Sequence, residues 1–207
     1  MEGPMIRHII FDMGNVLLRF DPELFLDRIG AAGEDRVLLR QEVFGSDDWL
    51  GMDRGDHDEP EAAEKMCARL PGHLHGAARQ LVCRWDEPLV RVEGMEELVC
   101  ELKEAGYGIW LLSNASRRQH VYWPRLEVCR YFDDTLISAD ERVIKPHGAI
   151  YDRCLEKFGL KAEECFFIDD SAANIQGAAA RGIRGYEFHF DVPELRKALR
   201  AVGVAVK

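Results

Sequence analysis

The run Ile9-Ile10-Phe11 leads directly into one aspartate, Asp12, and Met13-Gly14-Asn15 then opens a second apolar run, Val16-Leu17-Leu18. The segment from Ile6 to Phe11 has the pattern of a strand buried on both faces, at the centre of a parallel sheet. Open sheets of that kind take ligands outside the carboxyl ends of their strands. Asp12 stands at such an end. A carboxylate buried there is costly unless a cation partners it, so the rest of the chain must bring a cation to Asp12.

Downstream, strands alternate with helices. Glu93–Ala105 is an amphipathic helix stopped at Gly106, and Tyr107–Leu112 is a short apolar strand ending in Ser113-Asn114. Residues 116–128 have helical spacing, and Thr135–Ile137 is a strand. Lys145-Pro146 lies in the loop beyond it. Ala149–Phe158 is helical, Glu164–Ile168 is a buried strand ending in Asp169-Asp170, and Ala172–Ala180 is a small-residue helix. A last strand within residues 182–188 and a helix from Pro193 to Ala201 close the chain. This alternation predicts right-handed crossovers and an α/β fold with a Rossmann-like parallel sheet.

One block breaks the alternation. Asp21-Pro22 has the form of a helix start, cap followed by proline, and from there to Pro88 the spacing is helical throughout. Residues 21–88 are therefore expected to form an inserted all-helical cap over the carboxyl edge of the sheet, with residues 1–20 and 89–207 as the core. Within the cap, Trp49 to Asp56 has the pattern of a charged, turn-rich loop, and Trp85-Asp86-Glu87-Pro88 that of a return linker.

Composition narrows the partners. A formal net charge of −10 over 207 residues excludes the basic stripe that nucleic acid selects. No apolar run approaches the roughly 20 residues that a membrane span needs, and no basic segment leads into an apolar one near the first residues. The six cysteines show no CxxC pair, and Cys100, Cys154 and Cys165 fall inside apolar patterns, as buried thiols do. A cytoplasmic protein, monomeric or homodimeric, is the expectation, with a small phosphorylated metabolite as its partner and neither nucleic acid nor membrane.

Several strand ends carry polar groups: Asp12, Ser113-Asn114 and Asp169-Asp170, with Lys145 in a loop beyond another. Each has a plain explanation alone, since Ser, Asn and Asp favour helix caps. Together they set three carboxylates, a hydroxyl, an amide and an ammonium along one edge. Carboxylates from two strand ends can hold Mg²⁺, which prefers oxygen ligands. The cation and Lys145 would attract an anionic group and neutralise its developing charge. The Ser113 hydroxyl would hold further oxygens, and one carboxylate would be free to attack.

These residues resemble a known family. Phe11-Asp12-Met13-Gly14-Asn15-Val16-Leu17, Leu112-Ser113-Asn114, Lys145-Pro146 and Phe167-Ile168-Asp169-Asp170-Ser171 with Asn174 are similar, in order and separation, to the four motifs of the haloacid dehalogenase-like (HAD) hydrolases. The resemblance covers the whole chain and implies a helical cap inserted just after the first motif. It implies Asp12 as a nucleophile forming an aspartyl-phosphate, with Lys145 bridging phosphate and nucleophile. Ser113 and Asn114 would bind phosphoryl oxygens, and Asn15 belongs to the same substrate-binding set. Mg²⁺ would be held by Asp12, the Gly14 carbonyl and Asp170, with Asp169 as ligand or supporting group.

One position departs from the family. Most of its phosphatases carry a second aspartate two residues after the nucleophile, to protonate the leaving group; here Gly14 stands there. The Phe-Asp-x-Gly-Asn-Val form resembles the branch that includes bacterial phosphatases acting on glucose 1-phosphate, as do Arg117, His120, Trp123 and Pro124 after the second motif. General-acid help worth about 10²–10⁴-fold must then come from elsewhere or be missing. Asp21, which also has the pattern of a helix cap, and His120 are the candidate stand-ins.

The cap should choose the substrate. Asp53 and Arg54, between Gly51 and Gly55, are candidates for contacting substrate hydroxyls, and Trp49 and Trp123 for stacking on a sugar ring. The expected activity is Mg²⁺-dependent hydrolysis of a small organic phosphate monoester, a sugar phosphate being one candidate. The alternatives are carbon–halogen hydrolysis by the same aspartate, phosphonate cleavage through a cap lysine (Lys65), and a catalytically weak binding protein that keeps the fold.

Overall fold

The computed structural model describes residues 5–207, so the first four residues of the expected 1–20 core segment lie outside the described residues. β1 (His8–Phe11) is the central strand. It pairs in parallel with β2 (Gly108–Ser113) and β4 (Cys165–Asp169); β2 also pairs with β3 (Asp134–Ile137), and β4 with β5 (Arg184–Glu187). The sheet order is β3-β2-β1-β4-β5. Every pairing is parallel, as the alternation of strands and helices requires.

Successive residues of a strand face opposite sides, and β1 uses both. Ile9 and Phe11 pack with Leu98, Val99, Leu195 and Leu199 on one face. Ile10 packs with Ile150, Tyr151, Phe167 and Ala178 on the other. The first group comes from helices at Met95–Glu104 and Val192–Ala201, the second from helices at Gly148–Phe158 and Ala172–Ala179. Apolar burial on both sides leaves the polar strand ends as the open edge.

Between β1 and the Met95 helix the chain is helical. α1 (Pro22–Arg28) starts at Asp21, whose carboxylate accepts from the Glu23 amide. α2 (Gly33–Leu39) runs into a π-helical turn at Arg40–Phe44, followed by α3 (Asp47–Arg54), α4 (Glu59–Cys67) and α5 (His75–Cys83). These helices surround a core of their own, with Leu26, Leu39, Val43, Met66, Leu81 and Val82 buried together. Each such side chain contributes about 1.5–3 kcal/mol on full burial, enough in sum to hold the helices as one body.

The segment expected to be a charged loop is helical. Ser46 caps α3 by accepting from the Trp49 amide, and Gly55 closes it in the left-handed conformation. Its short length and five charged or polar neighbours mask the apolar spacing of Trp49 and Met52. The expected helix over 116–128 breaks instead into short turns at Gln119–Tyr122, Trp123–Arg125 and Glu127–Tyr131. Pro124 supplies no amide and disfavours helix in the residue before it. Among the cysteines, Cys67, Cys154 and Cys165 are buried and Cys100 is only half-buried; all six are free thiols.

Gly55 is also where the insertion meets the core. A β-carbon there would stand 2.1 Å from the Ala139 carbonyl oxygen, and φ is +74°. Both the conformation and the approach require glycine. Gly55→Ala is expected to destabilise the protein by about 1–3 kcal/mol; a thermal melt unchanged from the wild type would contradict this contact.

Candidate active site

β1 delivers Asp12 to the carboxyl edge. Phe11 is in register with Leu111 and Ile168, and the Asp12 amide donates to the Ile168 carbonyl at 2.8 Å, setting Asp12 beside the end of β4. Met13–Leu18 then folds back on itself, with the Asn15 amide donating to the Leu18 carbonyl and the Leu18 amide to Met13. Asn15 takes a positive φ of 55°, a conformation asparagine tolerates better than most residues.

The cation that Asp12 needs is Lys145. Its ammonium lies 2.7 Å from Asp12 Oδ1 and 2.7 Å from Asp169 Oδ2, and donates to the Leu112 carbonyl at 3.0 Å. Lys145 is 2% exposed and Asp169 0%. All three ammonium hydrogens therefore have acceptors. Burial by itself would lower the Lys145 ammonium, but the two carboxylates outweigh it and hold the group above the ordinary lysine value. Burial pushes the Asp12 carboxyl up to about 7, and Lys145 holds that rise in check.

Other residues of the set are committed to holding this pair. Asp169 Oδ1 accepts from the Ser171 amide and from Asn174 Nδ2, each at 2.9 Å. With its other oxygen on Lys145, Asp169 supports the ammonium. Asn114 clamps the Lys145 backbone: its Nδ2 donates to the Lys145 carbonyl at 3.0 Å, and its Oδ1 accepts the Lys145 amide at 2.8 Å. Asn15 donates to Asp170 Oδ2 at 2.9 Å and accepts from the Phe20 amide. So the side-chain amides of Asn15 and Asn114 orient neighbours within the site.

Two groups stay open. Asp12 Oδ2 and the Ser113 hydroxyl have no hydrogen-bond partner among the described residues, and both residues line a cavity of about 270 Å³ together with Gly14 and Asp170. Burial raises the Asp170 carboxyl above its ordinary value, an effect that the Asn15 bond opposes. Asp12, Asp169 and Asp170 offer oxygens within 4.8 Å of one another. Three carboxylates around a single ammonium leave an excess of negative charge, and a hard divalent cation with oxygen preference matches that donor set.

The rest of the cavity wall comes largely from the helical insertion and differs in character. Trp49, Met52, Val82 and Trp85 line it, with Leu18, Phe20 and Tyr122 from the core. The rings form one cluster: Phe20 lies 5.2 Å from Trp85 and 5.6 Å from Trp49, and Trp85 lies 5.2 Å from Tyr122. Trp85 is thus part of the wall as well as the return linker. Nothing in its spacing separated it from packing, because only the folded chain brings residues 20, 49, 85 and 122 together.

Two expected substrate residues lie elsewhere. Arg54 turns away from the cavity to pair with Asp56 at 2.8 Å, because one helical position separates it from Asp53, which does line the cavity. Trp123 is buried against Phe132, ring centres 5.0 Å apart, in the core on one face of the sheet. Lys65 is exposed and paired with Glu61. His120 is exposed and bonded to Asp140, and Arg117 donates to the Ala139 carbonyl. Glu59, at the start of α4, was not singled out by sequence. It lines the cavity, and one oxygen accepts from both the Ser116 hydroxyl and the Arg118 amide, fastening the insertion to the loop after β2.

Asp53 has an unusual setting. It occupies the last turn of α3, where the helix dipole disfavours a carboxylate. Burial, with the Glu59 carboxylate adding to it, pushes Asp53 up to about 7; Lys145, the Ser116 amide and Arg54 pull it back only in part.

A family model described as haloacid dehalogenase-like hydrolase matches residues 6–182. The sesquiterpene phosphatase astK of Aspergillus oryzae is 26% identical over 187 residues, spanning 85% of this chain and 86% of that protein. The phosphoglycolate phosphatase of Photorhabdus laumondii is 26% identical over 191 residues, spanning 86% of this chain and 77% of that one. A HAD-family enzyme of Bacteroides thetaiotaomicron, solved as a magnesium complex, superposes with a TM-score of 0.72 at 23% identity, covering 93% of this chain and 98% of that one. The L-2-haloacid dehalogenase of Xanthobacter autotrophicus superposes with a TM-score of 0.66 at 19% identity, covering 98% and 85%. At those identities the structural likenesses show a common fold. Among the described residues, no helix is long and apolar enough to cross a membrane.

Proposed function

The chain belongs to the haloacid dehalogenase-like hydrolases, and on that premise we propose that it is a Mg²⁺-dependent phosphatase working through an aspartyl-phosphate on Asp12. The observation that carries this is the state of Asp12: one oxygen is held by Lys145 and the other is open to a cavity shared with Ser113 and Asp170. A carboxylate fixed in that way is aimed as a nucleophile. The phosphatase names of relatives matched over most of their length support the same chemistry.

In the first step Asp12 Oδ2 attacks phosphorus and the bond from phosphorus to the leaving oxygen breaks. Lys145 neutralises the phosphoryl charge while still held by Asp169 and the Leu112 carbonyl, so it needs no reorganisation as charge develops. The Ser113 hydroxyl donates to a phosphoryl oxygen. In the second step water attacks the same phosphorus and frees Asp12. Asp12, Asp170 and the Gly14 carbonyl would hold Mg²⁺, which supplies further charge neutralisation at the phosphoryl group. Carbon–halogen hydrolysis is not favoured, since Asp170 beside Asp12 burdens the site with negative charge that a neutral halide does not need.

The wall of Phe20, Trp49, Met52, Val82 and Trp85 supports a substrate whose organic part is apolar, in preference to a hexose. The expected result is Mg²⁺-dependent phosphate release from p-nitrophenyl phosphate and from alkyl or prenyl phosphates, with kcat/KM at least ~10-fold above that for hexose phosphates. The size follows from burying several CH₂ groups at about 0.8 kcal/mol each. A phosphate-release panel with and without Mg²⁺ checks it. A preference for a hexose phosphate would overturn the substrate class, and silence on every ester the phosphatase itself.

A further inference from the structure

Gly14 leaves the site without the acid that the first motif usually provides, and the cavity holds a carboxyl placed to take over that task. Of the titratable side chains lining it among the described residues, Asp12, Asp170 and Lys145 belong to the nucleophile and charge-neutralising set. Glu59 Oε1 is taken up by the Ser116 hydroxyl and the Arg118 amide, which fasten that side chain to the loop after β2. Burial pushes the Tyr122 phenol well above its ordinary value, which makes it a poor proton donor. Asp53 remains.

Its position is fixed from the core. The Asp53 carbonyl accepts from the Ser138 hydroxyl at 2.6 Å, and that buried hydroxyl accepts from the Ala115 amide at 2.9 Å. Asp53 is therefore tied, through one side chain, to the residue that follows Ser113-Asn114. The close approach of Gly55 to Ala139 braces the same end of α3. The stand-ins weighed from sequence are occupied elsewhere: Asp21 caps α1 and His120 pairs with Asp140 on the surface.

Resting on the phosphatase reading, we propose that Asp53 is the general acid that protonates the leaving oxygen and the general base that then activates water. As Asp12 Oδ2 bonds to phosphorus and the P–O bond of the ester breaks, the Asp53 proton passes to that oxygen and the alcohol leaves neutral. Asp53, now a carboxylate, takes a proton from water as the water oxygen attacks phosphorus. The bond to Asp12 breaks, phosphate departs, and Asp53 is protonated again. A carboxyl near 7 suits both halves at neutral pH. The burial of the site, with Glu59 from α4 adding to it, holds it there against Lys145, the Ser116 amide and Arg54.

The test compares two leaving groups in the wild type, Asp53→Asn and Asp53→Glu, with Mg²⁺ present. p-Nitrophenolate leaves without a proton, whereas an alkoxide such as that of octyl phosphate needs one. Asp53→Asn is expected to lower kcat/KM for octyl phosphate by about 10²–10³-fold and that for p-nitrophenyl phosphate by less than ~10-fold. Its p-nitrophenolate release should show a burst of one equivalent before slow turnover, because the base is also gone. In the wild type, kcat/KM for octyl phosphate falls as pH rises above about 7, where the acid is lost; Asp53→Asn loses that limb, and Asp53→Glu recovers part of the octyl rate. An equal loss for both esters, or a limb that survives in Asp53→Asn, would overturn the assignment. If the wild type releases phosphate from neither ester, the phosphatase reading fails and takes the acid with it.

Discussion

Asp12→Asn is expected to lower phosphate release by about 10⁴-fold or more, the scale seen when a catalytic nucleophile is removed. The amide keeps the shape of the carboxylate and can still accept from Lys145, whose bonds to Asp169 and the Leu112 carbonyl are unaffected. Folding should therefore survive. Removing a carboxylate from a cluster with Asp169 and Asp170 also relieves repulsion, so Tm should move by no more than about 5 °C. Phosphate release and a thermal melt on one preparation check both parts. Activity near that of the wild type would remove Asp12 as nucleophile, and a collapse of Tm would mean that the pair with Lys145 is structural.

Lys145→Met is expected to damage stability as well as activity. The ammonium is the shared partner of Asp12 and Asp169, and without it two carboxylates face each other in a site almost closed to water. Removing one partner of a buried pair costs about 3–5 kcal/mol, or roughly 10 °C in Tm for a chain of this size. The deficit should depend on pH with a definite sign. Burial already raises the Asp12 carboxyl above its ordinary value, and loss of Lys145 raises it further. A folded state that holds its proton more tightly than the unfolded one loses stability as pH rises. The melting deficit of Lys145→Met should thus be larger at pH 8 than at pH 5. Equal deficits at both, or none, would show that the ammonium does not serve to stabilise Asp12. Phosphate release from the variant should fall by about 10²-fold or more, since the charge-neutralising donor is gone.

Much of the site was legible in the chain because its residues sit at strand ends. A polar residue after a fully apolar run marks the carboxyl edge of a parallel sheet, and Asp12, Ser113 and Asp170 were found in that way; Lys145 was found in the loop beyond another strand. What each side chain does there was less legible. Asn15, Asn114 and Asp169 have the residue types of ligands, yet their polar atoms are spent on Asp170, Lys145 and the amide of Ser171. Composition does not distinguish a group that meets substrate from one that steadies its neighbour, because the two differ only in which partner lies within about 3 Å.

The insertion shows the limit most clearly. Arg54 and Asp53 are adjacent, equally polar and flanked by the same glycines, but α3 turns one into the cavity and the other to Asp56. Trp49 and Trp123 look alike in sequence, and one lines the cavity while the other is buried against Phe132. The chain by itself determined the α/β architecture and the order in which the reactive groups meet the sheet edge, since hydrophobic periodicity and strand termination are local properties. Only the tertiary structure decided the aromatic wall, the fastening of Glu59 to Ser116 and the place of Asp53 in the wall of the cavity that Asp12 also lines. Those depend on how two separately packed bodies of the chain meet, and no local pattern encodes the meeting of residues 53, 59, 85 and 116.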